Sequence, residues 1–124
     1  MLEKRKILIV DDEAESLDYL KHILLRQSYN VFTANNGTDA IALAKEHSPD
    51  LIILDIIMPD MEGSEVAAKL HENLSTQEIP IIILSGVVLR KEDQLQNNLP
   101  GCKQYVLAKP VVPQELIELI KKIF

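Results

Sequence analysis

Leu51-Ile52-Ile53-Leu54-Asp55-Ile56-Ile57-Met58-Pro59 decides the fold. Leu51–Leu54 is too short for a helix and does not alternate with polar residues. A strand with one wet face would alternate. A strand buried on both faces need not, and that is the condition of a parallel sheet. Ser48-Pro49-Asp50 breaks the chain just before the run, and Asp55 ends it. Four more short apolar runs recur, Ile7–Val10, Val31–Ala34, Ile81–Leu84 and Tyr105–Ala108, and four of the five are rich in Ile, Val and Leu and barely alternate with polar residues.

Between these runs apolar residues recur three and four apart, the spacing of amphipathic helices. They are Leu17, Leu20 and Leu24; Ala40, Leu43 and Ala44, with His47 continuing the same steps at the C-terminal end; Val66, Ala67, Leu70 and Leu74; and Leu116, Ile117, Ile120 and Ile123. Lys91–Leu99 is the weakest, with only Leu95 and Leu99 apolar, and predicts a short, exposed or mobile helix. Gly63 stands just before the third helix, Pro100-Gly101 closes the fourth, and Pro113 suits the first turn of the last. Five strands alternating with five helices predict a doubly wound α/β fold, with a five-stranded parallel sheet and helices on both faces. The alternation does not order the strands. At this length the flavodoxin-like order 2-1-3-4-5 follows from fold-level precedent.

The 124 residues fit one domain, expected to occupy 1–124 without a second, output domain. With 47% apolar and 26% charged residues, a disordered or fibrous chain is excluded. Nineteen acids against 13 bases leave a net charge of −6, which argues against direct nucleic-acid binding. No segment approaches the ~18 consecutive apolar residues of a membrane span. Ile7–Val10 after the basic start is too short for a signal-peptide core. The one cysteine, Cys102, cannot form an internal disulfide and fits a reducing compartment. Together these features predict a cytoplasmic chain that acts neither on nucleic acid nor on membranes.

Open α/β sheets bind ligands beyond the carboxyl ends of their strands. Asp11 and Asp12 follow the first strand, Asp55 the third, Ser85 and Gly86 the fourth, and Lys109 and Pro110 the fifth. In the 2-1-3-4-5 order these four strands are neighbours. Three carboxylates there are costly, because two unit charges ~4 Å apart repel by about 4 kcal/mol at an effective dielectric of ~20. Either one carboxylate holds a proton or a cation sits among them. All-oxygen donors with room for water suit Mg2+ better than Ca2+. The Ser85 hydroxyl and Lys109 ammonium facing a metal-bound carboxylate suit a phosphoryl group, whose oxygens accept from both. A carboxylate can itself be the nucleophile. Asp55, central by strand order, is the best candidate acceptor.

These residues resemble the receiver domain of bacterial two-component response regulators. The resemblance covers essentially the whole chain. It rests on Ile7-Leu8-Ile9-Val10-Asp11-Asp12-Glu13, Asp50 to Pro59, Gly63, Ser85-Gly86 and Lys109-Pro110. It implies that Asp55 accepts phosphate from a histidine kinase or a histidine phosphotransfer domain. Asp12, Asp55 and the Ile57 backbone carbonyl would bind Mg2+, which Mn2+ can replace, with Asp11 acting through a water. Lys109 would pair with Asp55 and then with its phosphate, and Ser85 would move to hydrogen-bond that phosphate. Lys109-Pro110 would be a cis peptide, and Pro59 and Gly63 would shape the loop after the third strand. The implied output is docking of a downstream protein, or homodimerisation, through the fourth helix, fifth strand and fifth helix. Lys121 and Lys122 could pair there with Glu92 or Asp93 of a second copy, weakly, since exposed pairs contribute only ~0–1 kcal/mol.

One position departs from the family pattern. The usual aromatic three residues before the strand-five lysine is replaced by Val106, with Tyr105 one residue earlier. Strand side chains alternate faces, so Tyr105 should point the other way unless a bulge intervenes. Ile57 and Val87 should flank the phosphoryl group, and neither can orient an attacking water, which predicts slow phosphate loss or reflects ordinary variation. Two other classes compete with the switch: a receiver that binds its partner without phosphate, and a Mg2+-dependent phosphohydrolase using Asp55. The second lacks an acid or base at Ile57.

Plainer readings apply to single residues. Asp11-Asp12 alone suits a helix start, Ser85 a turn, and Lys109 the surface. His22, His47 and His71 fall on three helices without ligand spacing and read as surface or boundary residues.

Overall fold

The computed structural model describes residues 4–56, 58, 60–86 and 104–124. β1 spans Lys6–Val10, α1 Ala14–Arg26, β2 Asn30–Ala34, α2 Gly37–His47 and β3 Leu51–Asp55. α3 spans Gly63–Glu72, β4 Ile81–Ser85, β5 Gln104–Ala108, and α4, the last helix, Pro113–Ile123. The helix expected over Lys91–Leu99 lies outside the described residues, as do Ile57, Pro59, Val87 and Cys102. All strand pairs are parallel, in the order β2-β1-β3-β4-β5, with helices on both faces. This is the flavodoxin-like order expected from fold-level precedent, and its alternation of strands and helices is the one the sequence pattern predicts.

The sheet divides the core in two. Leu8, Val10, Ile52, Leu54, Ile81 and Ile83 meet α2 and α3, through Ala40, Ala44, Val66, Ala67 and Leu70. Ile7, Ile9, Leu51, Ile53, Ile82 and Leu84 meet α1 and α4, through Leu20, Leu24, Leu116 and Ile120. Each of these three strands therefore feeds both layers with alternate residues, which is why their runs are apolar throughout. Burying each such side chain contributes roughly 1.5–3 kcal/mol, so the three central strands hold the sheet together and fix where their carboxyl ends lie.

Two helical details differ from the spacing argument. α3 stops at Glu72, and Leu74 is 86% exposed in the turn beyond it. The Thr76 hydroxyl, buried, donates to the Leu70 carbonyl and closes that helix end, so the chain turns before Leu74 can reach the core. On α4, Leu119 rather than Ile117 joins Leu116, Ile120 and Ile123 against the sheet, completing the i, i+3, i+4, i+7 stripe. His47 closes α2 by stacking on Phe32, centroids 4.5 Å apart. Pro113 occupies the first turn of α4. Among the described residues no helix is long and apolar enough to cross a membrane.

Candidate functional site

Strand register delivers the site. Val10 pairs with Leu54 and Asp55 with Leu84, so Asp11, Asp55 and Ser85 arrive at one sheet edge. Ser85 pairs with Ala108, which places Lys109 next along. Asp55 and Ser85 are the last residues of β3 and β4 rather than the first beyond them. The Lys109 N–H donates to the Ser85 carbonyl at 2.8 Å, tying the ends of β4 and β5 together. The Lys109-Pro110 peptide is cis.

Carboxylate oxygens of Asp11, Asp12 and Asp55 all lie within 4.8 Å of one another. Asp11 is fully buried, Asp55 nearly so, and Asp12 is exposed. The Lys109 Nζ reaches Asp55 Oδ1 at 3.1 Å and Asp11 Oδ2 at 3.4 Å. Asp11 is held from two sides: its N–H donates to the Ala34 carbonyl at 3.1 Å, and its Oδ1 accepts from the Glu13 N–H at 3.0 Å. A cleft of about 660 Å³ opens beside these groups, lined by Asp11, Glu13, Tyr19, Lys109 and Val111 among others. The Tyr19 hydroxyl donates to the Val111 carbonyl at 3.2 Å, joining α1 to the segment after β5.

Residues 7–121 match the response regulator receiver domain family. The chain belongs to that family. Among relatives, this receiver domain is 36% identical over 118 residues to the probable transcriptional regulator ycf29 of Pyropia yezoensis, covering 95% of this chain and 52% of that protein. It is 32% identical over 118 residues to protein PilH of Pseudomonas aeruginosa, covering 95% of this chain and 96% of PilH. The chain thus spans about half the length of the first relative and nearly all of the second. The structure of chemotaxis protein CheY4 of Vibrio cholerae superposes with a TM-score of 0.87 at 28% identity, covering 98% of this chain and all of that one. Receiver domains are regulators of two-component systems rather than turnover enzymes, and they work with histidine kinases and downstream partners.

Electrostatics at the site are balanced between burial and pairing. Burial pushes the Asp55 carboxyl up most strongly. The Lys109 hydrogen bond pulls it back, but the charge of Asp11 adds to the upward side, and the carboxyl ends above its ordinary value. Burial alone would lower Lys109. The hydrogen bond to Asp55 and the charges of Asp11 and Asp55 outweigh it and raise the ammonium. Three carboxylates, all oxygen donors and one of them open to water, are a donor set that fits a hard divalent cation. In the metal-free protein the Asp55 charge costs stability. A carboxyl raised on folding contributes most below its unfolded pKa and loses that contribution as pH rises through its folded one. Asp55→Asn should therefore match wild type in acid and gain in Tm with rising pH above the ordinary carboxylate range. Thermal unfolding in EDTA across pH checks this, and a pH-independent difference would contradict it.

Of the residues singled out from sequence, Asp11, Asp12, Asp55, Ser85 and Lys109 come together at this edge. Ile57 and Pro59 lie outside the described residues. Gly63 begins α3, and its N–H donates to the Ile56 carbonyl at 2.8 Å. β5 pairs with β4 in unbroken register from Gln104 to Ala108, so no bulge turns Tyr105 around. Tyr105 packs with the α1–α4 layer and Val106 with the α2–α3 layer.

Sequence reasoning missed Asp60. Its Oδ1 accepts from the Gly37 N–H at 2.9 Å, and its Oδ2 from the Thr38 N–H at 3.1 Å and the Thr38 hydroxyl at 3.0 Å. Its partners lie 22 and 23 residues upstream, so no local motif announces the contact.

Proposed function

We propose that this receiver domain is a phosphoacceptor switch, with Asp55 taking a phosphoryl group from a phosphohistidine on a histidine kinase or phosphotransfer protein. One observation carries the reading. The nearly buried Asp55 carboxylate stands within 4.8 Å of those of Asp11 and Asp12 and 3.1 Å from the Lys109 ammonium. An Asp55 oxygen attacks phosphorus, the P–N bond to the donor imidazole breaks, and its electron pair returns to the ring nitrogen, leaving an acyl phosphate. Lys109 meets the new phosphoryl oxygens with its ammonium, and the Ser85 hydroxyl donates to another. Asp12, Asp55 and the Ile57 carbonyl, with Asp11 through a water, would hold Mg2+ or Mn2+, which supplies positive charge against the phosphoryl oxygens. Small phosphodonors serve as well as a protein, and loss of phosphate is slow because Ile57 and Val87 cannot orient water.

The phosphorylated state favours a second conformation of the face around β5 and α4, which a downstream protein or a second copy then binds. With Val106 in the α2–α3 layer, that shift proceeds without an aromatic side chain swinging into that layer. The same observation favours a second reading, a module that binds its partner without phosphate. Residues 1–124 act as one receiver domain, working in the cytoplasm.

The test is intact mass after incubation with acetyl phosphate or phosphoramidate, with and without Mg2+, on wild type and Asp55→Asn. One Mg2+-dependent adduct on wild type, absent from the variant, is expected. No adduct with any donor, and no binding of beryllofluoride, would replace the switch by the phosphate-independent module. Continuous release of inorganic phosphate from a generic phosphate ester would instead make it an enzyme.

A further inference from the structure

The segment from Ile56 to Gly63 follows directly on the acceptor. Its described residues are fastened at both ends and at the tip. At the near end the Ile56 N–H donates to the Leu84 carbonyl at 3.2 Å. At the far end the Gly63 N–H returns to the Ile56 carbonyl. Met58 is buried in the α2–α3 core. At the tip, Asp60 grips the start of α2 through three hydrogen bonds. Met61 is pressed against the same turn, since a Cβ on Gly37 would stand 2.3 Å from Met61 Cγ and 2.8 Å from its Sδ.

The grip completes the α2 cap. The cap residue Asn36 satisfies only the Asp39 N–H with its side chain, at 2.8 Å. Asp60 satisfies the two preceding amides, Gly37 and Thr38, that a helix start leaves free. A carboxylate also suits the positive end of the helix. The Gly37 and Thr38 donors accordingly hold Asp60 below the usual carboxylate range. A cap from the next residue in sequence would serve α2 alone. This one arrives from the acceptor loop, so it fixes that loop relative to α2.

We propose that Asp60 is a positioning residue for the phosphoacceptor site, its bonds to Gly37 and Thr38 holding the loop after Asp55 in the geometry that binds the divalent cation and takes up phosphate. The inference rests on the acceptor reading of Asp55. Asp60 touches neither metal nor phosphate. It acts through the chain between Ile56 and Gly63, which contains the Ile57 carbonyl.

The test compares Asp60→Ala, Asp60→Asn and Asp50→Ala with wild type. Asp50 is the structural control, because its carboxylate also accepts a backbone N–H, that of Lys6 at 2.8 Å, at the opposite end of the sheet. Calorimetric titration with Mg2+ reads the metal, intact mass with acetyl phosphate reads uptake, and thermal unfolding in EDTA reads stability. Replacing groups that orient metal ligands commonly weakens binding 10–100-fold, and for a group one step further removed the expected rise in Mg2+ Kd is about fivefold. Asp60→Asn, which keeps one acceptor oxygen, should fall between. Asp50→Ala should lose Tm and leave the Kd unchanged. Linkage adds a reciprocal sign: Mg2+ should slow amide exchange at Gly37 and Thr38 in wild type and not in Asp60→Ala. A variant at Asp60 that loses Tm but keeps the wild-type Kd overturns the inference and reduces Asp60 to a helix cap. A wild type that binds no Mg2+ and takes up no phosphate overturns the acceptor reading, and this inference with it.

Discussion

Lys109→Ala is expected to be the most damaging single change at the site. The ammonium bridges two carboxylates, Asp55 at 3.1 Å and Asp11 at 3.4 Å, and both are buried. Removing one partner of a buried pair strands the other charge, at about 3–5 kcal/mol. Here the Lys109 side chain is 25% exposed, and the cleft admits water. Screening reduces the figure to about 2 kcal/mol, or roughly 8 °C in Tm for a domain of this size. The pH course follows from the shifts. A raised lysine contributes fully below its unfolded pKa and loses that contribution only as pH rises through its folded one. The deficit of Lys109→Ala should therefore hold across neutral pH and close in strong alkali. It should also shrink in acid, as the raised Asp55 carboxyl protonates and no longer needs a partner. Mg2+ should recover part of the Tm, because a cation among the carboxylates replaces the lost charge. Phosphoryl uptake should not recover and should fall about 100-fold, the scale of removing one preorganised donor. Thermal unfolding in EDTA and in Mg2+, with intact-mass time courses, measures both. An unchanged Tm in EDTA would mean that the three carboxylates do not depend on Lys109. Lys109→Arg separates charge from placement: Tm should stay near wild type, while uptake falls because the planar guanidinium donates along different directions.

The parts of this molecule legible in sequence are those set by local pattern. Leu51–Leu54 announces a strand buried on both faces because both layers of core need its alternate residues. Asp11, Asp12, Asp55, Ser85 and Lys109 stand out because the ends of parallel strands share one sheet edge. What pattern cannot show is where the chain turns away from a continuing periodicity. Leu74 fits the helical spacing of Val66 and Leu70, yet Thr76 closes α3 before it. Choosing Leu119 over Ile117 required knowing the rotation of α4 against the sheet. Asp60 was invisible for a different reason. Its meaning lies in amides of another helix, and a lone acid in a loop carries no signature of them. The offset of Tyr105 was visible as a question, and strand register answers it, since five consecutive pairs leave no room for a bulge.

Gly63→Ala should show how closely the acceptor depends on its neighbours. An ideal Cβ on Gly63 would stand 2.6 Å from the Asp55 carbonyl oxygen and 2.8 Å from Ile56 Cα. Both are backbone atoms, so no rotamer change can make room. The peptide of the acceptor itself must move, or the first turn of α3 must. Alanine favours a helix interior over glycine by about 1 kcal/mol, so a stability loss would oppose the ordinary propensity. The expected loss is about 3 kcal/mol, the upper range for overpacking, or roughly 11 °C in Tm. Because the displaced atoms belong to Asp55 and Ile56, Mg2+ affinity should fall about tenfold as well. Two other glycines calibrate the effect. At Gly37 the obstacle is the Met61 side chain, which can swing aside, so Gly37→Ala should cost less, about 1–2 kcal/mol. At Gly86 a Cβ meets nothing within 4 Å among the described residues, so Gly86→Ala should stay within about 0.5 kcal/mol of wild type. The order Gly63 over Gly37 over Gly86, read from Tm in EDTA, tests whether contact with backbone sets the cost. Equal losses at Gly63 and Gly86 would contradict it, and would remove the argument that α3 is packed directly against the acceptor's own peptide.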